Sequence, residues 1–368
     1  MPDYSVDRDA FVARIWRRQL WTRRWVRARR AVGMPVASVQ AAVYDATFHS
    51  DADAVAYHYA LQNDHLPDLD NPVWLNEKIR WQFLNHPNPL MTLASDKIAV
   101  RDYLRLKGCA IEPPALLASG AGPEELAAVC LPARYVLKTA YGTGQIHVEN
   151  GPKATPRRVL AKKVAAWAEF DVWRHTSELF YRDVPKRWLV EELLPAAREK
   201  LEYKIFCFMG EPAFIAVITA RHGTSFKRAS FDLDWNRVEF QTRGYPPDPR
   251  PVPRPADLDL MLAEARRLAE DFLHVRVDFL KFDGRLCFSE LTFASMGARL
   301  PFEPREKNVA FGAMMYLGEA PRVLERGRRI AARLGYPAGA GAEGAQPAAV
   351  PGADPRQPLV LDGAAAAS

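Results

Sequence analysis

The stretch Val275–Gly297, VRVDFLKFDGRLCFSELTFASMG, constrains this chain more than any other. Two alternating runs, HVRVDFLKF and RLCFSELTF, flank the pair Asp283-Gly284. Alternation about an Asp-Gly pair is the strongest short-range hairpin signal. Strand side chains alternate faces, so Arg276, Asp278 and Leu280 share one face of the first strand. By the same rule Phe288, Glu290 and Thr292 share a face of the second. Whether the two sets coincide depends on the turn. A two-residue loop puts Asp278 and Glu290 on opposite faces. A three-residue loop with Gly284 in the left-handed region brings them together, and the sequence is predicted to use it. Two carboxylates on one sheet face, with Arg276 beside them and Thr292 behind, make a hard-cation site suited to Mg²⁺.

The chain of 368 residues has room for two or three domains. Its 48% hydrophobic and 26% charged residues are ordinary for a soluble globular protein. The net charge of +6 sits in residues 1–30, which hold nine Arg against three Asp. The body is therefore neutral, which excludes the electrostatic footprint of a nucleic-acid binder. Cys109, Cys130, Cys207 and Cys287 form no CxxC pair and read as free thiols in apolar settings, in a reducing compartment. No apolar run is long enough to span a membrane, and the expected location is cytoplasmic.

Residues 10–30 alternate Arg with Trp16, Trp21, Trp25 and aliphatics at near-helical spacing. A basic helix with such aromatics can lie on an anionic membrane surface, or dock on the body. Residues 40–66 read as helical. Next come two helical patterns divided by a Pro-bearing loop, the second capped by Ser95 or Asp96 and stopped at Gly108. Lys97 falls in that helix's first turn, against the helix dipole, which hints at an anionic partner. RYVLKTAYGTGQIHVEN reads as strand, glycine loop, strand. Gly142 and Gly144 could let backbone N–H groups cradle phosphate, or could simply make a hairpin turn. RWLVEELL is a strand ending in two acids, LEYKIFCFMGEPAFIAVITAR a hairpin around Met209-Gly210, and ADLDLMLAEARRLAEDF a capped helix with Asp257 near its start. From about residue 337 the Ala/Gly/Pro-rich chain has too little apolar bulk to fold.

The order of these pieces suits a nucleotide held between two lobes, with the glycine loop on its phosphates and the 191–194 segment at the adenine. Seven motifs in sequence support this: NEKIRWQFL, SDKIAVRDYL, VLKTAYGTG, VEELL, EYKIFCFMGEP, VRVDFL and FSELTF. Together they resemble the ATP-grasp superfamily over roughly residues 70–320. Within it they resemble the TupA-like group, named for teichuronopeptide biosynthesis and often labelled glycosyltransferases.

The resemblance implies an α+β, ATP-grasp fold, with two α+β lobes clamping ATP behind a helical N-terminal region. It divides the chain into a basic arm with helices (1–70), an N-terminal lobe (71–130), a small subdomain with the glycine lid (131–195), a large subdomain with the metal hairpin (196–336) and a disordered tail (337–368). Lys97 and Lys138 would contact ATP phosphates, under a lid of Gly142, Thr143 and Gly144. Glu191, Glu192, Leu193 and Leu194 would form the adenine hinge. Asp278 and Glu290 would bind Mg²⁺, with Thr292 where many relatives carry Asn. Arg276 would meet the transferred phosphate, and Lys204 and Arg221 would contact phosphate or substrate.

The implied activity is an ATP- and Mg²⁺-dependent carboxylate–amine ligase in surface-polysaccharide or glycopeptide synthesis. A uronic-acid glycan and an amino acid would suit as substrates. The alternatives are a glycosyltransferase and a kinase on the same fold. No GxSxG, HExxH, HRD or DFG motif points elsewhere. Five Asp-x-Asp pairs are scattered along the chain, so none singles out a nucleotide-sugar site.

Overall fold

The computed structural model describes residues 7–32, 39–151, 154–194, 200–222 and 225–336. The expected disordered tail lies outside the described residues. Among those described, six helices precede the first strand: α1 (Arg8–Ala31), α2 (Val39–Thr47), α3 (Asp51–Ala60), α4 (Leu75–Asn85), α5 (Pro89–Ser95) and α6 (Val100–Lys107). Phe11 and Ile15 of α1 pack on Tyr44, Phe48, Ala54 and Tyr57, so this helix is docked on the body. Trp16, Trp21 and Trp25 stay exposed on its outer side. Among the described residues, no helix is long and apolar enough to cross a membrane.

The first sheet is built from β1 (Leu116–Gly120), β2 (Tyr135–Thr139), β3 (Ile146–Glu149) and β4 (Trp188–Glu192). It runs antiparallel in the order β1-β4-β2-β3. Helices α7 (Pro123–Ala128), α8 (Arg157–Ala168) and α9 (Val172–Thr176) lie between its strands in the chain. Leu126, Leu160 and Val164 cover the apolar residues Leu137, Trp188 and Val190.

The second sheet takes β5 (Lys200–Phe208), β6 (Glu211–His222), β7 (Ser225–Phe231), β9 (His274–Phe282) and β10 (Arg285–Thr292), with short β8 (Gln241–Thr242) and α10 (Leu258–Ala269) between. Its order is β10-β9-β5-β6-β7, again antiparallel. β11 (Phe302–Glu303), α11 (Glu306–Met314) and α12 (Ala320–Arg333) complete the described chain.

Alternation splits this sheet into two unlike faces. Tyr203, Ile205, Val275, Val277 and Phe279 bury one face against Leu258, Met261, Ala265 and Leu268 of α10. Each such side chain contributes about 1.5–3 kcal/mol on burial. On the other face, Phe206 and Phe214 pack with Phe302, Phe311 and α4. The same face also carries the polar residues Glu202, Lys204, Arg228, Arg276 and Asp278, among Ala216 and Ile218.

The hairpin differs from its expected form. Arg285 pairs with Phe282, so the loop is only Asp283 and Gly284, with φ of 41° and 89°. Positive φ at both positions is a type I′ turn, for which Asp-Gly is well suited. Asp278 and Glu290 are nevertheless register partners, because the pairing shifts between Phe288 and Glu290. Ser289 is the extra residue of a β-bulge. Phe288, expected beside Glu290, instead pairs with Phe279 in the core. Its N–H leaves the sheet and donates to Glu112 O at 3.0 Å.

Three local expectations also change. α6 begins at Val100, after a separate turn over residues 97–99 that Asp96 caps by accepting from the Ile98 N–H at 2.8 Å. Lys97 therefore lies outside the helix. Asp257 makes no side-chain cap for α10, because its carboxylate pairs with Lys281. All four cysteines are free, but Cys130 is exposed.

Candidate active site

Five of the residues singled out in the sequence share the polar face of the second sheet. Lys204 pairs with Asp278 across β5 and β9, and Asp278 pairs with Glu290 across β9 and β10. Thr292 pairs with Arg276. Asp278 is 2% exposed. Its Oδ1 accepts from Arg276 Nε at 2.6 Å, and its Oδ2 from Arg276 Nη2 at 2.6 Å and Lys204 Nζ at 2.5 Å. Burial alone would raise this carboxyl, but Arg276 and Lys204 outweigh it and hold the pKa below the ordinary value. Burial likewise works against the Arg276 charge, and Asp278 more than restores it.

The network runs on to the second carboxylate. Arg276 Nη2 donates to Thr292 Oγ1 at 3.0 Å, and Thr292 Oγ1 donates to Glu290 Oε1 at 3.1 Å. Arg276 Nη1 donates to Ser295 Oγ. The turn carrying Ser295 is pinned by Arg80, whose guanidinium donates to the carbonyls of Val55, Gly297 and Ala298 at 2.7, 2.6 and 3.1 Å. A buried arginine satisfied by three backbone carbonyls thus fixes the wall against which Arg276 is aimed.

The donor chemistry fits a hard cation. Ionised carboxylates offer about four lone-pair positions, of which Asp278 uses three, leaving one on Oδ1. The Glu290 side chain is 44% exposed. Mg²⁺ is commonly held by one or two carboxylates plus substrate phosphates, rather than by an all-protein cage.

Of the other predicted residues, Lys97, Lys138 and Glu191 line a cleft between the two sheets. Lys138 pairs with Glu191 at 2.5 Å, and Arg101 holds the other Glu191 oxygen at 2.8 Å. Glu192 pairs with Arg285 at 2.5 Å and accepts from the Ala115 N–H at 3.1 Å. Leu193 and Leu194 follow β4 and are half-buried. Lys97 Nζ donates to the Gly142 carbonyl at 2.6 Å, and burial lowers its pKa. Gly142 and Gly144 both have positive φ, 79° and 87°. A Cβ on Gly142 would come within 2.1 Å of Val172 Cγ2, so the loop's descent requires glycine there. Thr143, between them, is exposed. Arg221 lies at the end of β6, and its side chain is outside the described residues.

Two spaces meet at Glu290. On one side is the cleft, lined by Lys97, Lys138, Glu191 and Ser289, with only about 20 Å³ free. On the other is a cavity of about 480 Å³, lined by Lys204, Arg276, Arg228, Glu178 and the Gly142-Thr143 tip. Glu290 and Tyr181 line both.

A family model described as TupA-like ATPgrasp matches residues 77–316. The chain belongs to the TupA-like ATP-grasp family. No functionally curated protein matches the sequence. Several solved structures resemble it weakly. D-alanine–D-alanine ligase of Bacillus anthracis is 17% identical, covers 66% of this chain and 69% of its own, and has a TM-score of 0.33. D-alanyl-alanine synthetase A of Vibrio cholerae is 13% identical, with coverages of 63% and 65% and a TM-score of 0.36. N5-carboxyaminoimidazole ribonucleotide synthetase of Thermus thermophilus is 15% identical, with coverages of 60% and 48% and a TM-score of 0.34. Likeness this slight transfers neither substrate nor mechanism to the TupA-like ATP-grasp chain.

Sequence reasoning missed several residues that line this candidate site. Glu178, Tyr181 and Ser295 sit in short turns that carry no periodic signal. Arg228 had one: in SFKRASF, period-2 alternation sets Phe226, Arg228 and Ser230 apart from Lys227, Ala229 and Phe231.

Proposed function

We propose that this chain is an ATP- and Mg²⁺-dependent carboxylate–amine ligase that works through an acylphosphate. The observation that carries the reading is the position of Glu290. It is paired in register with Asp278, and it stands where a lysine-lined cleft meets an arginine-lined cavity. A phosphoryl group passing from nucleotide to acceptor would cross at that junction. Lys97 and Lys138 would meet the nucleotide phosphates from the cleft side. Arg276 and Lys204 would face the transferring oxygens from the other side, already oriented by Asp278 and Ser295. Charge fixed in place before the reaction commonly accelerates it more than any other single effect. Mg²⁺ held by Asp278 and Glu290 would neutralise phosphate charge.

The acceptor carboxylate oxygen would form a bond to the γ-phosphorus as ADP leaves. The amine nitrogen would then attack the acyl carbon, and the C–O bond to phosphate would break. Neither step needs an enzyme nucleophile. The glycine loop, packed on Val172, would keep water from the acylphosphate. Ligand pockets usually measure ~300–1,000 Å³, so the cleft must widen to take ATP. Lys138 and Lys97 would then exchange Glu191 and the Gly142 carbonyl for phosphate.

The family resemblance supports a cytoplasmic role in surface-polysaccharide or glycopeptide synthesis, joining a uronic-acid glycan and an amino acid. The exposed Trp16, Trp21 and Trp25 among the arginines of α1 favour contact with the anionic inner membrane face, where such glycans would be assembled.

Isotope transfer tests the chemistry. With an ¹⁸O-labelled carboxylate substrate, a ligase delivers one ¹⁸O to released phosphate. A kinase leaves phosphate on the acceptor, and a glycosyltransferase consumes no ATP. Either of those results would replace the ligase reading.

A further inference from the structure

Arg228 is, among the described residues, the buried cation in this cavity that the proposed reaction leaves unused. From β7 it pairs with Ile218 of β6, which places it on the same sheet face as Lys204 and Asp278. It is 5% exposed. Its Nη1 donates to Thr242 Oγ1, while Nε and Nη2 have no hydrogen-bonding partner.

Arg276 shows the contrast. Both guanidinium carbons lie 5.9 Å from the ring centre of Phe206. Arg276 is neutralised by Asp278. Arg228 faces Arg276, another cation, and the Tyr245 ring, with no carboxylate paired to it among the described residues. Burial and Arg276 lower its pKa to about 10, so it remains charged at neutral pH. An uncompensated buried cation is among the most expensive features a protein can carry. A strand position with no ion partner, facing a cavity, is what an anion-binding residue requires before its ligand arrives. Arg228 also borders an outer cavity of about 570 Å³, where Arg237 is matched by Glu239 and Glu303; the inner cavity adds Lys204, Arg276 and Arg299 to Arg228 against Glu178 and Glu290 and is the more cationic of the two.

We infer that Arg228 anchors the acceptor, by taking an oxyanion of the substrate that is distinct from its reacting group. One strand, β6, lies between β7 and β5, so the Arg228 position stands two strand spacings, roughly 10 Å, from that of Lys204 across the sheet. The substrate class is a molecule carrying a carboxylate or phosphate about that far from the group to be activated. The identity of the reacting end rests on the ligase reading; the anion site does not.

The test is thermal unfolding of the full chain at constant ionic strength, titrated with glucuronate, inorganic phosphate or neutral glucose. The wild type is expected to gain Tm saturably with glucuronate, phosphate or both, and not with glucose. Which anion acts tells a carboxylate subsite from a phosphate one. Arg228→Met is expected to start from a higher Tm, because the unpaired charge is gone, and to lose the anion response at least tenfold in apparent Kd. Lys138→Gln is expected to keep the response, which separates this site from the nucleotide cleft. Arg228→Lys, which keeps the charge but not the fork, should weaken it, and decides the matter should the Met variant fold poorly. An unchanged anion response in Arg228→Met overturns the proposal. So does a tenfold loss of Mg·ATP binding in that variant, which would assign Arg228 to the nucleotide. If the wild type binds no Mg·ATP at all, the ligase reading falls and the anion titration still decides Arg228.

Discussion

Glu290 stands opposite Asp278 because Ser289 is bulged from the strand one residue earlier. The two-residue turn alone would have set Asp278 against Ser289 and turned Glu290 into the core. The bulge reverses that parity for the last part of β10. It leaves Phe279 and Phe288 together in the apolar layer and brings the two carboxylates together on the cavity side.

The two carboxylates are not equivalent, and their variants should part company in stability. Asp278 is buried between Arg276 and Lys204. Asp278→Asn leaves two cations without their partner and should cost about 3 kcal/mol or more. Glu290 is half-exposed, and Glu290→Gln should change stability by no more than about 0.5 kcal/mol. Both should lose Mg²⁺-dependent turnover. Urea unfolding of the two variants checks this, and equal stabilities would contradict the geometry.

Stability should fall with rising pH because of Glu178. Burial holds its carboxyl up at about 7, against an ordinary value near 4.5. Between those values the folded chain keeps a proton that the unfolded chain has lost, so stability declines as pH rises through the window and is flat above it. Glu178→Gln should abolish this decline and be the more stable protein at pH 8, by up to about 3 kcal/mol. Urea midpoints at pH 5 and pH 8 measure it. The same slope in both proteins would mean that Glu178 titrates normally.

Lys138→Gln should weaken Mg·ATP binding by roughly 10–100-fold, the range expected for one charge-assisted hydrogen bond. The fold should survive, because Arg101 still holds Glu191. Fluorescence titration with ATP reads the change. Wild-type affinity in the variant would remove Lys138 from the phosphate site.

Trp16, Trp21 and Trp25 can be tested without disturbing the body. Deleting α1 would strip Phe11 and Ile15 from their cluster, so point variants are cleaner. Replacing the three tryptophans by Ala should reduce sedimentation with phosphatidylglycerol vesicles at low salt and leave circular dichroism unchanged. Undiminished vesicle binding would rule out the tryptophans as the contact.

Much of this arrangement was legible in the sequence, wherever one strong local rule acted alone. Asp283-Gly284 announced the turn, and alternation placed Arg276 with Asp278 and Lys138 on its strand. The Ser289 bulge was not legible, because a bulge depends on what the partner strand and Glu112 offer, and no residue type marks it. Asp257 and Asp96 misled for a related reason. Each is a good cap by type, but Asp257 is taken by Lys281, and Asp96 caps the turn ahead of the helix. Glu191 was legible as one of two acids ending a strand, but not the pairing of its side chain with Lys138 and Arg101 across the fold. Long-range ion pairs of this kind leave no trace in spacing.

The most direct test is calorimetric binding of ATP and of UDP-glucose, each with Mg²⁺, to the wild type and to Glu290→Gln, the carboxylate variant that keeps its fold. The expected result is Mg²⁺-dependent ATP binding to the wild type, loss of that metal dependence in Glu290→Gln, and no binding of UDP-glucose to either. Binding of UDP-glucose without ATP, or ATP binding whose metal dependence survives in Glu290→Gln, would contradict the assignment of Glu290 to the metal and of the cleft to ATP.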